Sequence, residues 1–207
     1  MTPTIRVKGL EVLVESLKKQ TFRDFEFLVD INVTGQVDFN QAMNRLIKRA
    51  KGELIVSIQD YIKVPPDGLQ QFWDAYQHNP QFYTAPVGKT LDWESVTWDW
   101  RKHRKDSCNW MEWEIDYGCA PREALVKIGG FDESLDEYWG FDNCIAGLSA
   151  EMAGYKIINL PDNCAVALDH NQLEPHPFIH LRNPDYYNYR LQQIRMGLKL
   201  DYLRDNV

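Results

Sequence analysis

The stretch that decides the fold is residues 52–66, GELIVSIQDYIKVPP. Its apolar run from Glu53 to Ile58 predicts a strand, and Asp60 follows the end of that run. Pro65-Pro66 closes the segment, and apolar residues at helical spacing resume behind it. A helical pattern also precedes the run. The stretch therefore predicts a strand between two helices, with a carboxylate at its carboxyl end.

The same alternation of helices and strands extends in both directions. Helices are predicted over residues 7–19, 38–50, 69–76, 121–128, 144–153 and 184–206, and further strands over 25–29, 82–85, 155–160 and 165–168. Residues 90–120 interrupt this order, and we interpret them as a loop or edge-strand excursion. The pattern predicts an α/β fold, a mainly parallel central sheet with helices on both faces. Ligands bind beyond the carboxyl ends of such strands, where Asp30 and Asp60 lie.

Composition narrows the class of protein. The 207 residues carry a formal net charge of −7, and the basic stretches are too short for a nucleic-acid surface. No stretch approaches the roughly 18 apolar residues of a membrane span. The N-terminus lacks the apolar segment of a secretory signal, and the four separated Cys residues fit neither a disulfide framework nor a zinc site. We expect a cytoplasmic protein with one domain over residues 1–183 and a helical tail over 184–207.

Six segments, taken in chain order, resemble the family 2 glycosyltransferases of the GT-A fold. They are Pro3–Arg6 with Leu13–Thr21, Phe25–Asp30, Ala42–Asn44 with Ala50–Glu53, Ile55–Leu69, Gly129–Glu133, and Trp139–Asp142 with Gly154–Ile157. The motif Gly129-Gly130-Phe131-Asp132-Glu133 is the most distinctive of these matches. The sequence departs from the family in two places. Met1 stands almost at the opening motif, so the first strand is expected to be a stub, and Gln59-Asp60-Tyr61 replaces the acidic D-x-D cluster.

The resemblance implies transfer of a sugar, with inversion, from a nucleotide-diphospho-sugar to a glycan or another hydroxyl acceptor, and UDP-sugars are favoured. Residues 1–90 would form the nucleotide-binding half, and 91–183 the acceptor and catalytic half. The resemblance also implies Mn²⁺ or Mg²⁺ at the diphosphate, with Asp60 and His170 as ligands. Asp142 matches the general base. The alternatives are a turn residue for Asp60, a surface histidine for His170 and a helix cap for Asp142.

The nucleotide-binding candidates all lie in the first half of the chain. They are Thr4, Arg6, Asp30, Asn44 and Asp60. The acceptor-binding candidates are Trp93, Trp113 and Trp139, because the C–H faces of sugars stack on aromatic rings. Packing in the core is the alternative for each of the three rings. Asp132 and Glu133 are expected to order the Gly-Gly turn.

Two other functions stay open. A non-catalytic nucleotide- or glycan-binding module on the same fold is motivated by the short first strand and by Gln59-Asp60-Tyr61. A nucleotidyltransferase is disfavoured, because its first loop is normally Gly-rich and basic, whereas residues 2–9 offer only Arg6 and Lys8. The apolar stripe of the C-terminal helix favours either packing back on the domain or a homo-oligomer.

Overall fold

The computed structural model describes residues 1–4, 7–31, 38–92, 94–104, 107–138, 141–168 and 183–203. Within these ranges the α-helices are α1 Val7–Leu17, α2 Phe39–Arg49, α3 Gly68–His78, α4 Arg122–Lys127, α5 Asp142–Met152 and α6 Pro184–Arg195. The strands are β1 Thr2–Thr4, β2 Val29–Ile31, β3 Leu54–Ile58, β4 Ile62–Lys63, β5 Phe82–Thr84, β6 Val87–Thr90, β7 Thr97–Trp98, β8 Ser107–Cys108, β9 Tyr117–Pro121, β10 Ile157–Asn159 and β11 Ala165–Leu168.

The central sheet has the strand order β3-β9-β5-β10-β8. β10 runs parallel to β5, whereas β9 is antiparallel to both of its neighbours. A second sheet, β4-β11-β6-β7, pairs β11 with β6 in parallel and is otherwise antiparallel. The predicted α/β class is confirmed. The pairing is mixed rather than mainly parallel, because β9 enters the sheet from a segment that contains no crossover helix, which a parallel connection requires.

Strand β9 arises in the segment that the sequence indicated as a loop or edge excursion. All five of its residues are buried, and the strand separates β3 from β5. A Cβ at Gly118 would lie 2.6 Å from the Glu114 carbonyl oxygen and 2.8 Å from that of Tyr83, so only glycine fits there. The same glycine breaks the apolar pattern, and this is why the strand is hard to recognise from the sequence.

β1 connects β2 to the central sheet. It runs parallel to β2, with Thr2 opposite Val29, and its other edge meets β3. The Met1 nitrogen donates a hydrogen bond to the Val56 carbonyl oxygen at 2.6 Å, and the Ile58 N–H donates to the Met1 carbonyl oxygen at 3.1 Å. The carboxyl ends of β1, β2 and β3 therefore meet at one edge of the sheet.

Two apolar clusters lie on opposite faces of the central sheet. Phe82 belongs to the cluster beneath α2, α4 and α5, and the next residue, Tyr83, belongs to the cluster beneath α1 and α3. Successive side chains of a strand point to opposite faces, so both faces are covered by helices. This arrangement matches the prediction that helices cover the sheet on both sides.

Helix α6 packs against α5. Tyr187, Leu191 and Ile194 are buried in a third cluster with Ile145 and Leu148. The apolar stripe of the C-terminal helix is thus used within the chain, which leaves self-association through it without support. Across the described ranges, no helix combines the length and apolar character that crossing a bilayer demands.

Candidate active site

Thr4 and Asp60 meet where β1 and β3 end. The Thr4 hydroxyl donates a hydrogen bond to Oδ2 of Asp60, and only 2% of Asp60 is exposed. Gly9 of α1 lies against the same loop, and a Cβ on it would approach the Asp60 carbonyl oxygen to 2.6 Å. A side chain at that position would push the helix away from the loop. The opening strand and helix therefore hold the segment that carries the Asp60 carboxylate.

Asp30 of β2 forms a bidentate ion pair with α2. Arg45 donates from Nε to Oδ2 of Asp30 at 2.9 Å and from Nη2 to Oδ1 at 3.0 Å. Its Nη2 also donates to Oδ2 of Asp38 at 2.7 Å. The hydrogen bond with Asp30 raises the pKa of Arg45 further above its ordinary value. These contacts tie the start of α2 to the end of β2, so both lie at the edge where Asp60 lies.

The start of α2 also holds two carboxylates from the second half of the chain. Asp136 accepts hydrogen bonds from the backbone N–H groups of Asn40, at 2.8 Å, and Gln41, at 2.9 Å, and so caps the helix. The buried side chain of Asn40 donates from Nδ2 to Oδ1 of Asp136 at 2.9 Å and to Oδ1 of Asp142 at 2.6 Å. Asn40 thus bridges both carboxylates and brings Asp142 to the same edge as Asp30 and Asp60.

Burial sets the proton affinity of this carboxylate pair. Desolvation raises the pKa of Asp142 to about 6, the hydrogen bond from Asn40 opposes that rise, and the charge of Asp136 adds to it. Desolvation likewise raises the pKa of Asp136 to about 6. A carboxylate with a pKa near 6 is still mostly ionised at pH 7 and is a stronger base than an exposed one.

The backbone conformation of Phe141 determines the direction in which the chain enters α5. Its φ is 71°, in the left-handed region that residues with a Cβ rarely adopt, and α5 begins with the next residue, Asp142. The Phe141 ring stacks on Tyr187 of α6, with centroids 4.2 Å apart and planes at 13°. Tertiary packing therefore compensates for the unfavourable backbone at the residue that directs Asp142. Asp142 occupies the first turn of α5, and Phe141 takes the cap position.

A buried network of Arg101, Asp99 and Asp116 forms a wall beside the loop that follows β3. Arg101, 2% exposed, donates to both oxygens of Asp116 at 2.9 and 3.0 Å and to Oδ2 of Asp99 at 2.7 Å. The backbone of Asp116 continues to the loop after β3, because its carbonyl oxygen accepts from the N–H of Gln59 at 2.9 Å. The network fixes one side of the residues around Asp60.

Glu114 lies between this network and the start of α5. Burial raises its pKa to about 7, with a further increase from the charge of Asp116. Asn143, which follows Asp142, contacts Oε2 of Glu114 through Nδ2 at 3.4 Å. Polar groups therefore extend from Asp142 along this wall toward Gln59 and the Asp60 loop.

An open cleft of about 570 Å³ adjoins Glu114. It is lined by Trp100, His103, Arg104, Met111, Glu112 and Glu114. Trp100 is 40% exposed, and the Arg104 guanidinium lies 5.5 Å from the centre of its ring. An aromatic wall beside carboxylates is the composition expected of a carbohydrate subsite, and the volume is within the range of about 300–1,000 Å³ typical of small-molecule sites.

The structure places two predicted site residues in structural roles instead. The Asn44 side chain is 1% exposed and is bonded at 2.9 Å to the backbone N–H and carbonyl oxygen of Phe131 and to the Glu133 carboxylate. The Asn44 side chain holds the Gly-Gly turn, and it has no exposed surface that a nucleotide could contact. Trp113 is 2% exposed and packs edge-on against Phe82 at 4.8 Å, which makes it a core residue rather than an acceptor contact.

The distinctive turn at residues 129–133 is tied to the C-terminal segment. Asp132 is fully buried and accepts from Arg190 Nε at 2.6 Å and from the Tyr202 hydroxyl at 3.2 Å. Asp132 and Glu133 therefore order the turn, as their position suggested. The remaining predicted site residues, Arg6, Trp93, Trp139 and His170, lie outside the described residues.

The described residues supply one carboxylate toward the predicted cation site. Within the described ranges no three His, Cys, Asp or Glu side chains cluster closely enough to hold a metal ion. Asp60 fits a site of the kind in which one or two carboxylates and substrate phosphates share a Mg²⁺ ion, but not an all-protein site.

Three residues of this site carried little signal in the sequence. Asn40 looks like an ordinary residue of the first helical turn, and Asp136 looks like solvated charge in the acidic stretch after the Gly-Gly turn. Glu114 precedes the unrecognised strand β9. Their importance depends on contacts between residues 29 to 102 positions apart, which no local pattern indicates.

Comparison with known proteins identifies structures of the same fold. TarS 1-349 from S. aureus in complex with UDP-GlcNAc superposes with a TM-score of 0.69 and 14% identity, over 94% of this chain and 64% of that one. The mannosyltransferase PcManGT from Pyrobaculum calidifontis, in complex with GDP-Man and Mn²⁺, superposes with a TM-score of 0.59 and 16% identity, over 99% and 66%. The chain thus spans about two thirds or less of the length of these proteins. Neither a protein-family model nor a curated protein sequence matches the chain.

Proposed function

We propose that the chain is a glycosyltransferase of the family 2 type that transfers a sugar, with inversion, from a nucleotide-diphospho-sugar to a hydroxyl group of a glycan or another acceptor. The observation that carries the proposal is the Asp142 carboxylate, which Asn40 holds at the sheet edge where Asp60 lies. The ligands of the similar structures, UDP-GlcNAc and GDP-Man, favour a donor of this class.

Asp142 serves as the general base in this reaction. With a pKa of about 6 it is mostly ionised at pH 7 and accepts the proton of the acceptor hydroxyl. The hydroxyl oxygen forms a bond to the anomeric carbon while the bond from that carbon to the diphosphate oxygen breaks, and attack from the opposite face inverts the configuration. Asn40 keeps the carboxylate in one orientation, and the proton later passes from Asp142 to water.

The donor lies along the ends of β1, β2 and β3. Asp30 contacts the nucleoside, and Asp60 lies at the diphosphate. Thr4 and Arg6 are further candidates for contacting the nucleotide. A bound Mn²⁺ or Mg²⁺ would neutralise the departing diphosphate, with Asp60, His170 and phosphate oxygens as ligands. UDP-sugars are the favoured donors.

The acceptor occupies the cleft beside Glu114. Trp100 offers an exposed ring on which a sugar face stacks, and Glu114 accepts hydrogen bonds from hydroxyl groups. The rings of Trp93 and Trp139 are further candidates for the acceptor side. The proposal is supported by the contact between Glu114 and Asn143, the residue that follows Asp142.

The test is sugar release and transfer from UDP- and GDP-sugars in the presence of Mn²⁺. We expect Asp142→Asn to lower kcat by about 10²–10⁴-fold, the range that general-base catalysis contributes. Asp162→Asn, at an exposed carboxylate away from the site, is the matched control and should retain full activity. Equal turnover of wild type and Asp142→Asn would remove Asp142 from the role of base. Asp60→Asn and removal of the cation with EDTA test the diphosphate side separately.

A second candidate is a non-catalytic nucleotide- or glycan-binding module. The feature that favours it is the replacement of the acidic D-x-D cluster, because Gln59 and Tyr61 flank Asp60. The Tyr61 hydroxyl donates a hydrogen bond to Oε1 of Gln59. Thermal shift separates the candidates. Stabilisation by glycans, without stabilisation by UDP or GDP plus Mn²⁺ and without turnover, would support the binding module.

A further inference from the structure

Helix α6 contacts the stretch between Asp132 and Asp142 at two points. Tyr187 stacks on Phe141, the residue before Asp142, with ring centroids 4.2 Å apart and planes at 13°. Arg190 donates a hydrogen bond from Nε to Oδ2 of Asp132 at 2.6 Å, and only 13% of the Arg190 side chain is exposed. Residues three positions apart lie on the same side of a helix. One face of α6 therefore contacts this stretch near both of its ends.

The contact with Tyr187 affects the backbone from which the proposed base extends. Phe141 has a φ of 71°, a strained conformation that persists only where the surrounding structure holds it. The carbonyl oxygen of Phe141 accepts a hydrogen bond from the Cys144 N–H at 3.1 Å, so this backbone also begins the first turn of α5. A shift of Phe141 would move the next residue, Asp142, and lengthen the 2.6 Å hydrogen bond that its carboxylate accepts from Asn40.

The contact with Arg190 affects the second carboxylate. Asp132 is fully buried and caps the 3₁₀ helix Glu133–Glu137, which contains Asp136. Asp136 accepts hydrogen bonds from the backbone N–H of Asn40 at 2.8 Å and from its side chain at 2.9 Å. Removing Arg190 would leave the buried Asp132 charge without its ion-pair partner and would loosen the start of this short helix. The position of the second carboxylate at α2 therefore depends on α6.

The chain that follows α6 is fitted to the Gly-Gly turn. The Tyr202 N–H donates to the Gly129 carbonyl oxygen at 2.9 Å, and the Tyr202 hydroxyl donates to Oδ1 of Asp132 at 3.2 Å. Gly129 has a φ of 84°, and a Cβ there would lie 1.9 Å from the Leu200 carbonyl oxygen, so glycine is required. The most distinctive motif of the sequence thus receives the C-terminal segment, which keeps α6 against the stretch that it contacts.

We infer that Tyr187 and Arg190 are positioning residues for the proposed base. Tyr187 holds the Asp142 carboxylate in its active orientation through Phe141. Arg190, through Asp132, holds the carboxylate that caps α2. Both act through other residues and not through the substrate, so they affect kcat and not the binding of the donor. The inference rests on the proposed function, because it concerns the use of Asp142 as a base.

The first experiment removes the stacked ring. Tyr187→Leu keeps an apolar side chain in the cluster with α5 but cannot stack on Phe141. It should lower kcat about tenfold and leave the donor KM within about twofold of wild type. The acidic limb of the pH–kcat profile should move to higher pH, because the hydrogen bond from Asn40 that lowers the pKa of Asp142 is weakened. Tyr187→Phe retains the ring and should keep kcat within about twofold of wild type.

A double variant shows whether Tyr187 acts through the base. Asn40→Ala already removes the hydrogen bond to Asp142, so adding Tyr187→Leu should lower kcat by no more than about a further twofold. Two independent effects would instead multiply to about a hundredfold loss. That additive result would overturn the assignment of Tyr187.

Arg190→Gln tests the second contact. It should lower kcat about fivefold at an unchanged donor KM, and Arg190→Lys, which keeps a positive charge beside Asp132, should recover at least about half of the wild-type kcat. Ile194→Val is the matched control, because it trims a buried side chain of the same helix about two turns beyond Tyr187. It should lower Tm by a few degrees and leave kcat and the pH profile unchanged. A fall in kcat that follows Tm across all of these variants would overturn the inference, because α6 would then act only through stability.

One measurement separates this inference from the proposed function. The pKa of the Asp142 carboxyl, followed by carbon NMR titration, requires no turnover and should be higher in Tyr187→Leu than in wild type and Tyr187→Phe. A chain that transfers no sugar but shows this rise would contradict the proposed function and support the contact between α6 and Asp142. Equal pKa values in the three proteins would overturn the positioning role, whatever the activity.

Discussion

The Nδ2 atom of Asn40 lies 2.6 Å from Oδ1 of Asp142, across 102 positions of sequence. The same amide group bonds Asp136 at 2.9 Å, and Asp136 in turn caps the helix that carries Asn40. The start of α2 is therefore a fixed support for a carboxylate that belongs to α5. This contact joins the two halves of the chain at the point where the proposed chemistry occurs.

Asn40→Ala should lower kcat by about tenfold and leave the donor KM unchanged, because Asn40 orients the base and does not contact the nucleotide. The hydrogen bond from Asn40 lowers the pKa of Asp142, so its loss raises that pKa. Activity requires ionised Asp142, and the acidic limb of the pH–kcat profile should therefore move to higher pH. Gln192→Ala, at an exposed amide on α6, is the control. An unshifted acidic limb would show that Asn40 does not tune the base.

Asp136→Asn should move the acidic limb in the opposite direction. The charge of Asp136 raises the pKa of Asp142, and a neutral amide removes that contribution. Asparagine keeps one of the two oxygens that cap α2 but sets an NH2 group against the other backbone N–H, so the loss in stability should be about 1–3 kcal/mol. Opposite shifts for Asn40→Ala and Asp136→Asn would be hard to obtain from a general loosening of the site. Shifts of the same sign would contradict the electrostatic account.

The stability of Asp142→Asn gives a test that needs no substrate. The folded state binds the Asp142 proton more tightly than the unfolded chain, because burial raises the pKa from 3.8 to about 6. The folded state thus holds more protons between about pH 4 and 6, and the free energy of unfolding falls as pH rises through that range. Above it, the buried charge remains a cost. We expect Asp142→Asn to have a higher Tm than wild type at pH 8 and a smaller advantage at pH 4. The Tm of both proteins across this range is the measurement, and a lower Tm for the variant at pH 8 would argue against a destabilising buried charge.

The sequence predicts those features that depend on interactions between residues close together in the chain, and not those that depend on distant residues. Local apolar spacing predicts helices α1, α2 and α3 to within a few residues of their ends. The local pattern does not predict strand β9, because distant partners decide its position between β3 and β5 and Gly118 interrupts its apolar residues. The motif resemblance marks Asp142 as a candidate base. It gives no sign of Asn40 and Asp136, since their contacts exist only in the folded chain.

Asp30→Asn should separate binding from chemistry on the donor side. If Asp30 contacts the nucleoside, the variant should raise the donor KM several-fold with kcat nearly unchanged, the pattern of lost uniform binding. The bidentate ion pair with Arg45 will also be weakened, although the exposed Arg45 limits that cost to about 1 kcal/mol or less. Arg45→Gln is the matched control, because it breaks the same ion pair but leaves the Asp30 carboxylate in place. A raised KM in Arg45→Gln equal to that of Asp30→Asn would assign the effect to the ion pair instead.

The two tryptophans Trp100 and Trp113 should respond to substitution in opposite ways. Trp113 is buried between Phe82 and Phe131, so Trp113→Ala should cost about 3–5 kcal/mol in the free energy of unfolding, measured by denaturant titration. Trp100 lines the open cleft, so Trp100→Ala should change stability by about 0.5 kcal/mol or less and raise the acceptor KM about fivefold or more. Tyr189→Ala, at an exposed aromatic residue on α6, is the control for loss of a surface ring. An unchanged acceptor KM in Trp100→Ala would place the acceptor outside this cleft, because a ring that stacks on the sugar cannot be removed without weakening its binding.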